Sequence, residues 1–262
     1  MTRPETPEAG GGPKLPPGFT AVLRDSVGST SDEAKALAAA GAAHGTLVWA
    51  LEQTAGRGRL DRQWQSPRGN LYTSCILRPD VKPARAAELG FVAALAVAET
   101  VRALLPANVP VTLKWPNDVL VDGGKIAGIL LEAQSGPNGT VDWLVLGMGV
   151  NIVAAPDNTP YRAVALQPLG GVADAGLVLE LLYGALAERL DDWHRDGFAD
   201  IRTRWLTLAR GLGEAIEIRQ GDQVVSGRFV DLDLDGALVL DTVTGRRRIT
   251  TGDVRFAQVM GA

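Results

Sequence analysis

Apolar positions in this chain gather in short runs closed by glycine, asparagine or aspartate, a pattern of strands and tight turns. Thr46 to Glu52 (TLVWALE) and Leu71 to Arg78 (LYTSCILR) read as strands, with a loop rich in glycine and arginine between them. Val111 to Trp115, Val119 to Val121, Ile126 to Glu132 and Leu144 to Ile152 are further runs of strand length. Helical patterning is rarer. It covers the alanine-rich stretch after Thr30, Glu88 to Leu105, Leu177 to His194 and the shorter Phe198 to Leu208. Thr30 and Glu33 have the form of a capping box, which puts Gly28, Ser29 and Thr30 at the entrance of the first helix. Too few helices lie between strands for a regular βαβ alternation, so the pattern predicts an α+β domain.

From Gly213 the texture changes to short alternating runs, EAIEIR, QVVSGRFVDLD, GALVLDT, RRRITT and VRFAQV, parted by glycine and aspartate turns. Such runs predict a small β-barrel over 211–262, appended to a main domain over 19–210. Residues 1–18 are rich in proline and glycine and almost free of apolar side chains, and are expected to be disordered. No helical segment the size of a helix-turn-helix reader precedes the first folded element, so no DNA partner is expected.

Composition narrows the picture. The 262 residues, 46% hydrophobic and 21% charged, suffice for one good core and a smaller second one. Cys75, the single cysteine, excludes an internal disulfide, and His44 and His194 are too few and too far apart for a zinc cluster. A reducing cytoplasm is the expected setting. No apolar run approaches the roughly 20 residues that span a bilayer, so no membrane partner is expected. With a net charge of -4, any positive charge that matters must be local. The loop Thr54 to Trp64 (TAGRGRLDRQW) concentrates it.

Several familiar chemistries fail on that loop and its neighbours. A dinucleotide fingerprint starting at Gly56 and Gly58 meets Asp61 where the third glycine belongs, and Gly124-Lys125 is followed by Ile126 rather than the hydroxyl of a phosphate-binding P-loop. No nucleophile elbow occurs, and neither histidine has the context of a general base. What remains is a set of cations beside glycines: Arg57, Arg59, Arg62, Lys114 and Lys125. In extended chain Arg57 and Arg59 share a face, and guanidinium forks match phosphate or carboxylate oxygens two at a time. Trp64 adds a plane for a ring to stack on, and the segment Lys114-Trp-Pro-Asn-Asp118 adds a carboxamide and a carboxylate at a strand end. Together they describe a clamp for a nucleotide or another anionic ligand.

The segments GST (28 to 30), EQTAGRGRLDRQW (52 to 64), KWPNDVLVDGGKIAGILLE (114 to 132) and GMGVNI (147 to 152) resemble, in order and spacing, the motifs of the biotin protein ligase family. The resemblance runs from about residue 20 to the C-terminus. It implies a mixed β-sheet with helices on one side and a C-terminal SH3-like barrel. It also implies a ligase forming a C–N bond, which joins biotin and ATP, with Mg2+, into biotinyl-5′-adenylate. Biotin then passes to one lysine of the biotin carboxyl carrier domain of an acetyl-CoA or other acyl-CoA carboxylase. Members of the family often pair through sheet edges, so a homodimer is a further expectation.

Residue by residue, the resemblance assigns Ser29, Thr30 and Gln53 to the ureido ring, and lets the backbone at Gly56, Gly58 and Gly128 approach biotin. Ser31 stands where the family usually has asparagine and offers a shorter biotin contact. Arg57, Arg59 and Lys125 would neutralise the biotin carboxylate and the phosphate as charge develops between them. Arg62, Trp64, Lys114, Asn117 and Asn151 fall at adenylate positions. Asp118, near which Mg2+ would sit, could help the acceptor amine lose its proton. Asp61 replaces the glycine of the family's GRGRxGR motif. Two alternatives stay open: a lipoate or octanoate ligase or transferase of the same superfamily, and a non-catalytic regulator that only senses the ligand.

Overall fold

The computed structural model describes residues 12–60 and 62–256. The chain runs β1 (Thr20–Val27), α1 (Thr30–Ala39), β2 (Thr46–Gln53), β3 (Leu71–Leu77), α2 (Pro83–Ala86), α3 (Leu89–Leu104), β4 (Val111–Lys114), β5 (Asp118–Val121), β6 (Gly124–Ser135) and β7 (Val141–Val150). Helices α4 (Ala175–Asp196) and α5 (Phe198–Thr207) follow, then β8 (Ala215–Gln220), β9 (Gln223–Leu232), β10 (Leu238–Thr242), β11 (Gly245–Ile249) and β12 (Asp253–Phe256).

Strands β1 to β7 form a seven-stranded sheet in the order β1-β2-β3-β7-β6-β5-β4. Only β1 and β2 run parallel and the other neighbours are antiparallel, so the sheet is mixed. Alternation splits its side chains between two faces. Leu47, Leu71, Cys75, Leu77, Leu144 and Leu146 join one core with the apolar sides of α3 and α4, whereas Val48, Ile76 and Val145 meet Ala34 and Ala38 of α1. The expected helices on one side are thus α3, α4 and α5, while α1 covers part of the opposite face. Beyond α1 that face is left to the loops, and they build the site.

The sequence pattern misses β1, and its burial explains why. It is an edge strand whose residues are all exposed or half-buried, with Arg24, Asp25 and Ser26 interrupting the apolar run. The N-terminal expectation needs correcting from residue 12 to 18: the Lys14 backbone N–H donates to Glu180 Oε1 at 2.7 Å, and Leu15 packs against the main core. The rest of that predicted disordered stretch, 1–11, lies outside the described residues, as do 257–262. No described helix is long and apolar enough to cross a membrane.

The C-terminal strands form a five-stranded antiparallel sheet, order β11-β10-β9-β8-β12, with the SH3-like arrangement. It closes over Ile218, Phe229, Leu238 and Leu240. The β9–β10 turn seats it on the main domain: Gly236, at φ 81°, packs against the Phe91 ring, and its carbonyl accepts the Trp115 indole N–H at 3.1 Å. In the basic run of β11, Arg246 pairs with Asp241 and Arg248 with Asp233 and Asp235, an exposed and internally balanced face.

Candidate active site

Cross-strand register builds the floor of the site. Tyr72 pairs with Gly149, Gly149 with Gly128, Gly128 with Asp118 and Asp118 with Lys114, so the five lie in one row across β3, β7, β6, β5 and β4. The next row holds Ser74, Gly147 and Leu130. Residues in one ladder row share a face, here the one α1 only partly covers. Three glycines leave that face bare. A Cβ on Gly149 would come within 2.7 Å of the Trp64 indole, and one on Gly128 within 3.1 Å, so the indole lies flat on backbone. A cavity of about 1180 Å³ opens over this floor.

At one end the cavity is polar and buried. Gln53 Oε1 accepts the Thr30 backbone N–H at 2.8 Å and the Thr30 hydroxyl at 3.1 Å, and Gln53 Nε2 donates to Ser66 Oγ at 2.8 Å. Ser74 Oγ lies 2.8 Å from Thr30 Oγ1 and 3.1 Å from Ser31 Oγ. Ser29, Thr30, Ser31 and Ser74 are each at most 5% exposed. The capping-box expectation fails for the same reason. Ser29 is the N-cap and makes no side-chain cap bond, Thr30 turns into the pocket, and Glu33 pairs with Arg24 at 2.6 Å.

The other end carries the charge. A bulge in β6 shifts the register from Val119 opposite Ala127 to Leu120 opposite Lys125, leaving Ile126 unpaired. Strict alternation would send Lys125 to the face opposite Gly128; the bulge brings it to the same one. Its Nζ lies 2.5 Å from Asp118 Oδ1, between the rings of Trp64 at 5.4 Å and Tyr161 at 5.3 Å. Lys114 Nζ takes the other Asp118 oxygen at 3.5 Å. The segment carrying Tyr161 is tied to Lys125 by backbone: the Lys125 N–H donates to Arg162 O at 2.8 Å and the Val164 N–H to Lys125 O at 2.9 Å.

The arginine loop is a hairpin. Arg57 bridges Gln63, the Gly58 N–H donates to Arg62 O at 2.7 Å, and the Trp64 N–H to Gly56 O at 2.9 Å. Its three arginines part company. Arg57 pairs with Glu132 at 2.6 Å and Asp32 at 2.9 Å, and Arg62 pairs with Asp253 of the barrel. Among the described residues Arg59 hydrogen-bonds neutral groups, Asn117 Oδ1 at 3.3 Å and Thr251 Oγ1 at 3.5 Å. Burial pulls its pKa below the usual guanidinium value, against the pull of Asp253 and Asp118. Among the described residues it is the loop arginine without a carboxylate partner.

Two predicted ligands serve the backbone. Asn117 Nδ2 donates to Ile129 O at 2.6 Å and Asn151 Nδ2 to Val164 O at 3.1 Å, so each pins a segment that lines the site. Asp61 lies outside the described residues. Asp118, with both oxygens held by lysines, is a poor partner for a divalent cation. No cluster of three metal-ligating side chains occurs among the described residues. The sequence reading missed Ser66, Ser74, Tyr161 and Asp253. Ser74 left a trace, a small polar residue inside an apolar strand, and Ser66 stands two residues beyond Trp64; Tyr161 and Asp253 are remote in sequence and reach the site only by folding.

Comparison with known proteins agrees with this geometry. The profile of the Biotin/lipoate A/B protein ligase family matches residues 25–151, and that of the Biotin protein ligase C terminal domain matches residues 211–256. The chain is 40% identical to a biotin acetyl-CoA-carboxylase ligase of Paracoccus denitrificans, covering 87% of this chain and 97% of that one. To the ligase of the same description from Mycobacterium tuberculosis it is 37% identical, covering 87% and 85%. A solved Aquifex aeolicus biotin protein ligase, in complex with biotin and ATP, superposes with a TM-score of 0.77 at 28% identity, covering 90% of this chain and 97% of that one. Fold and site thus define a ligase of the biotin and lipoate class. Within that class, the chain belongs to the biotin protein ligase family.

Proposed function

We propose that the glycine-floored cavity carries out both half-reactions of protein biotinylation, with the roles divided as follows. In the first, a carboxylate oxygen of biotin attacks the α-phosphorus of ATP and pyrophosphate leaves, giving the mixed anhydride biotinyl-5′-adenylate. In the second, the ε-amine of a carrier-domain lysine attacks the acyl carbon, AMP leaves with the bonding electrons, and the amine gives up a proton. The ordered pocket of Thr30, Ser31, Gln53 and Ser74 suits the ureido ring, since fixed donors and acceptors beside an apolar floor give orientation. Lys125 is the observation that carries the reading: it stands between that floor, two aromatic rings and Asp118. A cation so placed, joined by Arg59, offsets the repulsion of carboxylate and phosphate where it peaks in the transition state. Trp64 and Tyr161 offer flat surfaces for the adenylate.

Mg2+ bound with ATP would supply neutralisation of phosphate charge, and Asp118, already facing two ammonium groups, would not be its main ligand. Asp118 has a second task in transfer, as a carboxylate lining the cavity that can take the proton of the acceptor amine. The acceptor is the lysine of a biotin carboxyl carrier domain.

Biotin-dependent exchange of labelled pyrophosphate into ATP tests the first step, and the gain of one biotinyl group by a carrier domain, read by mass, tests the second. Exchange with lipoate or octanoate but not with biotin would overturn the assignment of substrate. Asp118→Asn is expected to slow transfer from preformed adenylate about a hundredfold, as loss of a general base does. Full transfer by that variant would remove Asp118 from the scheme.

A further inference from the structure

We infer that Asn70, a buried residue outside the cavity, is the positioning residue that fixes the segment carrying Tyr161 against the sheet. The inference rests on the biotin ligase reading, under which that segment walls the nucleotide end of the cavity. Asn70 stands where the chain enters β3, six residues beyond Trp64. It is 2% exposed, and a carboxamide so buried needs its partners inside the protein. Its Oδ1 accepts the backbone N–H of Ile152 at 2.8 Å, of Val153 at 2.9 Å and of Ala154 at 3.3 Å, and its Nδ2 donates to Ala154 O at 2.8 Å. Successive N–H groups converging on one oxygen form a nest, filled here by a neutral side chain. Gly69, at φ 98°, adds a second grip. A Cβ there would come within 2.6 Å of Val153 Cγ2, so Val153 packs directly on the glycine backbone.

The gripped turn is where the chain leaves β7. Asn151 just before it and Tyr161 beyond it line the cavity, whereas Asn70 does not. At the far end the segment is tied to Lys125 through Arg162 and Val164. Between these points, among the described residues, the backbone of 153–161 makes no hydrogen bond with other backbone. Asn70 is therefore the polar anchor of the near end, and without it the whole stretch would hang from Ile152 to Arg162. A longer free loop costs more to order around a ligand. The chain on which Asn70 sits is itself stiff: the Tyr72 hydroxyl donates to Pro67 O at 2.7 Å, and Ser66 Oγ accepts from Gln53 and donates to Trp64 O at 3.0 Å. One carboxamide thus joins the wall that carries Trp64 to the wall that carries Tyr161.

The test uses the full chain and begins with the natural protein. Val153 is an exposed residue whose amide has Asn70 as its described partner, while the Thr159 amide has none. Amide hydrogen exchange read by NMR should therefore be about a hundredfold slower at Val153 than at Thr159. Asn70→Ala is expected to erase that difference. In pyrophosphate exchange it should raise the KM for ATP about fivefold and change the KM for biotin less than about twofold. A residue needed only for overall stability would move both constants together or neither. Asn70→Asp keeps an acceptor for the three N–H groups and should hold the KM for ATP within about twofold of the natural value. The inference is overturned if Val153 exchanges as fast as Thr159 in the natural protein, or if Asn70→Ala leaves the KM for ATP unchanged or raises both constants equally. Asn70→Ser, whose hydroxyl stops short of the three N–H groups, stands in should the alanine variant fail to fold. Absence of pyrophosphate exchange in the natural protein would count against the ligase reading, while the Val153 amide, whose protection needs no catalysis, still decides whether Asn70 holds the turn.

Discussion

Lys125 reaches the cavity because one strand carries an extra residue. The bulge at Ile126 turns the ammonium from the helix-covered face to the glycine face, where Asp118 and two rings hold it. An ammonium held in this way costs little reorganisation when an anionic transition state forms, which is the condition for strong electrostatic stabilisation. Lys125→Met is therefore expected to lower pyrophosphate exchange about a hundredfold to a thousandfold, without a matching loss of melting temperature. Retention of more than a tenth of the exchange rate would show that Lys125 is not central. Arg59→Gln should act differently. It removes the loop cation that has no described carboxylate partner, and is expected to lower kcat of exchange about tenfold and to raise the KM for ATP more than that for biotin.

At the scale of elements, the site depends on how helices meet the sheet. Helix α3 is almost wholly buried between the sheet and α4, and Glu88, its N-cap, accepts the Trp193 indole N–H at 2.6 Å. Burial raises the pKa of the Glu88 carboxyl above the ordinary value of 4.5, against the opposing pull of the Trp193 bond and Arg85. A carboxyl whose folded pKa is raised binds its proton more readily in the folded chain than in the unfolded one. It favours folding below its unfolded pKa and loses that contribution as pH rises through the folded one. Glu88→Gln keeps an acceptor for Trp193 and removes the charge, so at pH 7 its melting temperature should equal or exceed that of the natural protein by up to about 2 °C. Titration toward pH 4 should close the gap; a gap that widens on acidification would contradict the assignment.

Across the whole molecule, the barrel and the arginine loop are linked. Arg62 pairs with Asp253, Arg59 reaches Thr251, and the Trp115 indole within the KWPND segment donates to Gly236 of the barrel. The barrel thereby holds the loop from one side while Asp32 and Glu132 hold it from the other. Asp253→Asn is expected to raise the KM for ATP about threefold to tenfold, more than that for biotin, because Arg62 and Arg59 lie at the charged end of the cavity. Equal changes in both constants, measured by exchange at saturating co-substrate, would point to general loosening instead.

Much of this was legible in the chain itself. Alternating runs closed by glycine and aspartate announced most strands of both sheets, and four ordered motifs named the family, because patterning and motif spacing are local properties. Edge strand β1 was not legible, since a half-exposed strand carries little apolar signal. Nor were the roles within the motifs. Arg57, Arg59 and Arg62 look alike in sequence, yet Glu132, Asn117 and Asp253 give them three different surroundings. Local residue choice determined the elements and the set of groups available for chemistry. Ladder register, one bulge and contacts between residues far apart in the chain decided which of those groups face one cavity.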